Sequence, residues 1–120
     1  MASNWTLTYA SCFTSSAAES FGKKYPAEFA QVMANVQTFH DALNDGAKLE
    51  QLKREKSFVH NEGKGVVSIT QQPLRRNAHP LRLYIYPDES SHTIHILSIG
   101  DKKHQEKDIN EVHQFVKKNL

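Results

Sequence analysis

Trp5, Leu7 and Tyr9 alternate with Thr6 and Thr8 near the start of the chain, the period-2 pattern of a half-buried strand made of residue types that favour extended backbone. This predicts a first strand over residues 4–10. Thr14, Ser15 or Ser16 can cap a short helix running to Lys24, and Pro26 suits the first turn of the next helix, where its missing N–H costs nothing. Along that second helix Phe29, Val32, Met33, Val36, His40 and Leu43 recur at helical spacing, and Gly46 ends it. After the basic stretch KLEQLKREK, expected to be irregular, strand character returns in SFVH (57–60), GVVSIT (65–70), LRLYIY (81–86) and HTIHILSI (92–99). NEGKG reads as the turn of one hairpin and PDESS as the turn of a second. The tail HQEKDINEVHQFVKKN sets Ile109, Val112, Phe115 and Val116 on one helical stripe and ends in lysines, which suit a helix C-terminus.

The order strand, helix, helix, strands, helix predicts an α+β fold: one small antiparallel sheet with two N-terminal helices and a C-terminal helix. With 120 residues and no repeat or linker, the chain is expected to form a single domain over residues 1–120. Helix 26–44 is expected to pack on the sheet through Phe29, Val32, Met33 and Val36, and strands 81–87 and 92–99 to be antiparallel neighbours.

Composition adds little to the fold and more to the chemistry. A single cysteine, Cys12, excludes an internal disulfide and a Cys-rich zinc site. The opening residues lack a signal-peptide pattern and no apolar run reaches the length of a membrane span, so a cytoplasmic protein without a membrane partner is expected. Net charge is only +2, but residues 51–82 carry a balance of +5 (Lys53, Arg54, Lys56, Lys64, Arg75, Arg76 and Arg82 against Glu55 and Glu62) while the remainder sums to −3. A local phosphate-binding face would look like this, and so would ordinary solvated loops.

In LRLYIY, Leu81, Leu83 and Ile85 share one face and Arg82, Tyr84 and Tyr86 the other. A guanidinium and phenols in a row suit phosphate contact and base stacking; a solvated or helix-covered face is the plainer alternative. The seven histidines are scattered, and His92 and His95, three apart on an expected strand, would face opposite sides. No metal site and no cofactor are expected, and HExxH, GxGxxG, P-loop, GxSxG and CxxC motifs are absent from the sequence.

The element order together with LRLYIYPDESSHTIHILSIGDKKHQEKDI resembles the RelE/ParE superfamily of bacterial type II toxins. The Arg-bearing strand, the PDE turn, the apolar strand running into IGDKK and the QEKDI helix start carry the likeness, over about the last 40 residues. The resemblance implies a protein that either cleaves mRNA, usually on the ribosome, or acts on DNA gyrase without being a nuclease. It also implies a cognate antitoxin, whose acidic amphipathic segment the +5 region would complement. Arg82 matches the phosphate-contacting arginine of the nuclease branch, and Lys102, Lys103 and His104 match its basic segment after the last strand. The catalytic tyrosine common there is missing.

Two functions from different classes remain open on the sequence. In an RNA endonuclease the 2′-OH attacks the adjacent phosphate, Arg82 stabilises the developing charge, and His60, Glu62 and His104 are the candidate proton acceptors and donors. Lys53, Arg54, Lys64, Arg75, Arg76, Tyr84, Lys102 and Lys103 would then hold RNA, with the ribosome as a further partner. In a ParE-like binding module, or a stand-alone relative of the fold, no RNA is cut.

Overall fold

The computed structural model describes residues 4–72 and 74–120. Among these, the chain forms β1 (Thr6–Tyr9), α1 (Ser15–Lys24), α2 (Pro26–Asn44), α3 (Leu49–Glu55), β2 (Val59–Gly63), β3 (Val66–Thr70), β4 (Leu81–Asp88), β5 (Thr93–Asp101), a 3-10 turn (Lys102–His104) and α4 (Gln105–Asn119). The α+β class is as the sequence implied. Two details differ. The sheet, in the order β1-β5-β4-β3-β2, is mixed and not antiparallel throughout, because β1 runs parallel to β5. Three helices, not two, precede β2. The supposedly irregular basic stretch folds as α3 because Leu49 and Leu52, three apart, drop into the core while Glu50, Arg54 and Glu55 stay exposed.

Helices cover both faces of the sheet. On one, α2 buries Val32, Val36, Phe39 and Leu43 against Val67, Ile69, Leu81, Leu83, Ile85, Ile94 and Ile96. On the other, α4 sets Val112 and Val116 on Val66, Tyr84 and Leu97. Alternation along β4 places Leu81, Leu83 and Ile85 under α2 and Tyr84 under α4. In β5 a bulge opposite Tyr84 and Ile85 lets Leu97 join Tyr84 in the α4 cluster while Ile96 stays on the α2 side.

Pro26 opens α2 as expected, and Gly46, at φ 98°, follows its C-terminus. The expected stripe is displaced by part of a turn: Phe39 is fully buried, while Phe29 and Met33 are only partly so and line a cavity of about 400 Å³ with Phe13, Leu83, Ile96 and Ile99. His40, read as part of the stripe, instead sits 2.6 Å from the Trp5 carbonyl and 3.2 Å from Asn44, whose side-chain oxygen accepts from the Trp5 N–H at 2.7 Å. These bonds fasten the entry of β1 to the end of α2.

Strands 81–87 and 92–99 are antiparallel neighbours as expected, with β5 running on to Asp101. His92 lies just before β5, at φ 51°, stacked on Trp5. In the first hairpin β2 starts at Val59 and uses most of the segment read as turn. Lys64 and Gly65 form the two-residue connection, both at positive φ, which is the type I′ requirement. A Cβ on Gly65 would lie 2.8 Å from the Tyr86 ring, so glycine is needed there twice over.

Because Phe39 is enclosed by the main cluster, Phe39→Ala is expected to lower unfolding free energy by about 3–5 kcal/mol. Urea denaturation checks this; a loss below about 1 kcal/mol would contradict a well-packed Phe39.

Candidate functional site

The α4-covered face of the sheet turns polar toward one end. Position 60 pairs with 68, 68 with 84, 70 with 82 and 82 with 100, so His60, Ser68, Thr70, Arg82 and Tyr84 fall in neighbouring rows. Strand parity carries Arg82 to this face for the same reason that it carries Leu81 and Leu83 to the other. The Arg82 guanidinium lies 3.9 Å from Glu62, and His60 Nε2 lies 3.1 Å from Thr70 Oγ1. Three of the four proposed proton-transfer and phosphate groups, His60, Glu62 and Arg82, therefore converge from two strands. His60, Thr70, Gln71 and Arg82 line a cavity of about 150 Å³. That is room for about five waters at ~30 Å³ each, enough for a phosphate group. Larger cavities, of about 400 and 290 Å³, hold neither His60, Thr70 nor Arg82, though Gln71 also lines the second.

Burial sets the electrostatics. Desolvation first, and the Arg82 charge second, hold the His60 imidazole below its usual range, so it is neutral at pH 7 and able to accept a proton. Asp108, reaching in from the first turn of α4, has its carboxyl pushed up by burial and then by the like charge of Glu111. Tyr84 is pushed up as well, by burial and then by Asp108 and Glu62, and stays a phenol. A Cβ at position 100 would collide with Asp108 Oδ2, so only glycine there admits the carboxylate. Glu62 Oε2, Ser68 Oγ, Arg82 Nε, Tyr84 Oη and Asp108 Oδ2 are all buried without a hydrogen-bond partner among the described residues. Polar burial on this scale carries a free-energy cost that an apolar face would avoid.

His104, the fourth candidate, lies beyond the end of β5, its Nδ1 3.0 Å from Asp101 Oδ1. It does not line the small cavity: its partner Asp101 pairs with Leu81 and so points to the α2 side, and His104 sits at the end of the sheet, near enough to act electrostatically on Asp108 across it. Asp101 also binds His79 Nε2 through Oδ2, at 3.1 Å. Burial would raise the Asp101 carboxyl, but hydrogen bonds from His79 and His104 outweigh it and hold the group below the usual range.

Tyr84, expected to stack on RNA, is a correction: it is fully buried under α4, because the face it shares with Arg82 is covered there. The cations do not gather on one surface. Lys53 and Arg54 belong to α3, whose leucines pack on the α2 side; Arg54 is exposed, while Lys53 is largely covered and pairs with Glu50. Lys64 is at the tip of the β2–β3 hairpin, and Arg75 and Arg76 are in an exposed loop beside the start of α2. Lys102 and Lys103 are exposed next to His104. Sequence reasoning missed Asp101, Asp108 and Gly100. The DxxH spacing at the strand end was the available signal for Asp101; nothing local announced that Asp108 would turn inward.

Two partly buried groups of the site, Asp108 and His60, oppose each other in pH. Asp108 binds its proton more tightly folded than unfolded, so its contribution to stability is complete below its ordinary 3.8 and is lost as pH rises through the raised value. His60 binds its proton less tightly when folded, so stability is lost as pH falls below its ordinary 6.5. Asp108→Asn, which cannot ionise, is expected to melt a few degrees above the wild type at pH 7, with the gap closing toward pH 4. Thermal melts across that range check it; a gap unchanged with pH would show that Asp108 ionisation is not the cause.

Compared with known proteins, the chain matches no protein-family model and no curated protein.

Proposed function

We propose that the chain is a RelE-like toxin of a toxin–antitoxin pair, acting as an endonuclease on mRNA. The observation that carries this reading is the convergence of Arg82, Glu62 and His60 on one sheet face, with Arg82 and His60 at the wall of a small cavity. The resemblance of the β4–β5 hairpin and the start of α4 to the RelE/ParE superfamily adds to it.

In the reaction, the ribose 2′-oxygen forms a bond to the adjacent phosphorus and the P–O5′ bond breaks. One group takes the 2′ proton and another gives a proton to O5′, so the step balances without a redox cofactor. His60, neutral and beside Arg82, suits the proton acceptor. Arg82 supplies planar paired donors to the phosphate oxygens, and its buried Nε is a donor without a partner among the described residues. Glu62, with 11% of its side chain exposed, holds the guanidinium by charge. Lys102 and Lys103 add cationic character where RNA would pass.

A specific observation also favours the non-catalytic alternative. Arg82 is already neutralised by Glu62 and only 21% exposed, which suits a ParE-like or stand-alone binding module that keeps the fold alone. Among the described residues no helix is long and apolar enough to cross a membrane; the partner of a toxin of either kind is an antitoxin and, for the nuclease, RNA with the ribosome as well.

Induced expression is expected to arrest growth and to produce mapped breaks in mRNA, both relieved by a co-expressed antitoxin. Growth arrest with intact mRNA would select the ParE-like binding module; unaltered growth would sink both toxin readings and leave the stand-alone relative.

Arg82→Lys is the sharper test. It keeps a charge beside Glu62 and loses the planar fork, so cleavage is expected to fall by on the order of 100-fold or more, the ~3–4 kcal/mol carried by one contact to developing charge. Arg82→Ala is expected to cut cleavage as deeply and to cost roughly 1–3 kcal/mol of stability as well, because Glu62 loses its counter-charge. Ribosome-containing cleavage assays beside thermal melts separate the two effects; full activity in the lysine variant would remove Arg82 from the chemistry.

A further inference from the structure

The segment Asp101-Lys102-Lys103-His104 closes β5 and makes the 3-10 turn. Residues three apart eclipse one another in such a turn, so an aspartate before it and a histidine at its end share one side. Asp101 Oδ1 accepts from the His104 backbone N–H at 3.3 Å and lies 3.0 Å from its Nδ1. A capping role accounts for the first bond and not for the second.

The carboxylate is also held from behind. Asp101 Oδ2 lies 3.1 Å from His79 Nε2. His79 is fixed in turn by a stack on Tyr25, with centroids 4.0 Å apart and planes 5° from parallel, and by its backbone N–H, which donates to Glu28 Oε2 at 3.0 Å. An ionised carboxylate only accepts hydrogen bonds, so the neutral His104 ring must carry its proton on Nδ1. That leaves Nε2 as the working atom. The side chain of Asp101 is 13% exposed and that of His104 58%, so the orienting group is sheltered and the ring reaches solvent beside Lys102 and Lys103.

We propose that Asp101, braced by His79, is the positioning residue of an acid–base dyad in which His104 Nε2 gives the proton to the leaving O5′ of the RNA. The inference rests on the nuclease reading above. Charged imidazole holds protons on both nitrogens; when Nε2 gives one up, the ring is left as the Nδ1–H form that Asp101 binds. The same carboxylate therefore favours the ring geometry before and after transfer, the role an orienting aspartate has in hydrolytic dyads and triads. His60, on the sheet, takes the 2′ proton; His104, on the turn, returns one to the leaving group.

Two measurements test this. Long-range ¹H–¹⁵N spectra above pH 8 are expected to show wild-type His104 as the Nδ1–H tautomer and the Asp101→Asn variant reverting to Nε2–H. In ribosome-containing RNA cleavage, His104→Ala is expected to lose roughly 100-fold or more and to regain part of that with added imidazole, while Asp101→Asn loses roughly 10- to 100-fold. His104 is exposed, so its alanine variant leaves the core untouched. An Nε2–H tautomer in the wild type, or undiminished cleavage by both variants, overturns the dyad and leaves the nuclease reading standing. A wild type that cuts no RNA overturns the nuclease reading and the catalytic use of His104 together, even where the Nδ1–H tautomer is found.

Discussion

Everything in this fold is organised by the enclosure of β4 between two helical layers. Leu81, Leu83 and Ile85 fill the α2 side and Tyr84 the α4 side, so a strand that reads as half polar has almost no free face. Each fully buried large apolar side chain contributes roughly 1.5–3 kcal/mol, and β4 with its neighbours β3 and β5 supplies most of them. Arg82 belongs to the same alternation. Its side chain reaches the α4 face because its neighbours must reach the other, and there it meets Glu62 at the polar end of that face. Packing and site geometry are thus two consequences of one register.

That enclosure explains what could be read from the chain in advance. Period-2 runs and turn residues identified the hairpins, and Pro26 and Gly46 bounded the long helix, because these signals are local. The direction of β1 carried no such signal: its partner β5 is more than eighty residues away, with three helices and three strands between. Tyr84 was misread for a related reason. Parity assigns a residue to a face, but only the docking of α4 decides whether that face is wet. Of the candidate site, His60, Glu62 and Arg82 were legible as residue types in a basic hairpin region, and their convergence was not, since it follows from the β2–β3–β4 register. Asp108 could not have been distinguished from the other acids of α4 without the notch left by Gly100.

The polar cluster under α4 is costly. Removing unpaired buried polar groups, or replacing an ion pair by hydrophobic residues of similar volume, commonly leaves stability unchanged or improves it. Glu62, Arg82, Tyr84, Ser68 and Asp108 therefore weaken the fold relative to an apolar face of the same shape. Groups of this kind are characteristic of sites where a ligand or a proton transfer uses them. In this protein one of them, Arg82, stands at the wall of a cavity that also carries the His60 imidazole, a coincidence of position that a merely tolerated defect would not require.

The distribution of cations limits how such a site could hold RNA. Lys53 and Arg54 lie on the α2 side, Lys64 at a hairpin tip, and Arg75 and Arg76 in a loop beside α2, so the +5 region is spread around the molecule rather than laid out as a track. With a net charge of +2, few phosphates could be neutralised at once, and affinity for free RNA scales with that number. As a nuclease, the protein would have Arg82, Lys102 and Lys103 for one or two phosphates at the reacting position, which orients a strand but does not gather it from solution. On the nuclease reading, the strand must then be presented by something else that holds it extended and single-stranded. Under that division of labour the small cavity would take the phosphate to be cut, with the bases and the rest of the backbone held outside it.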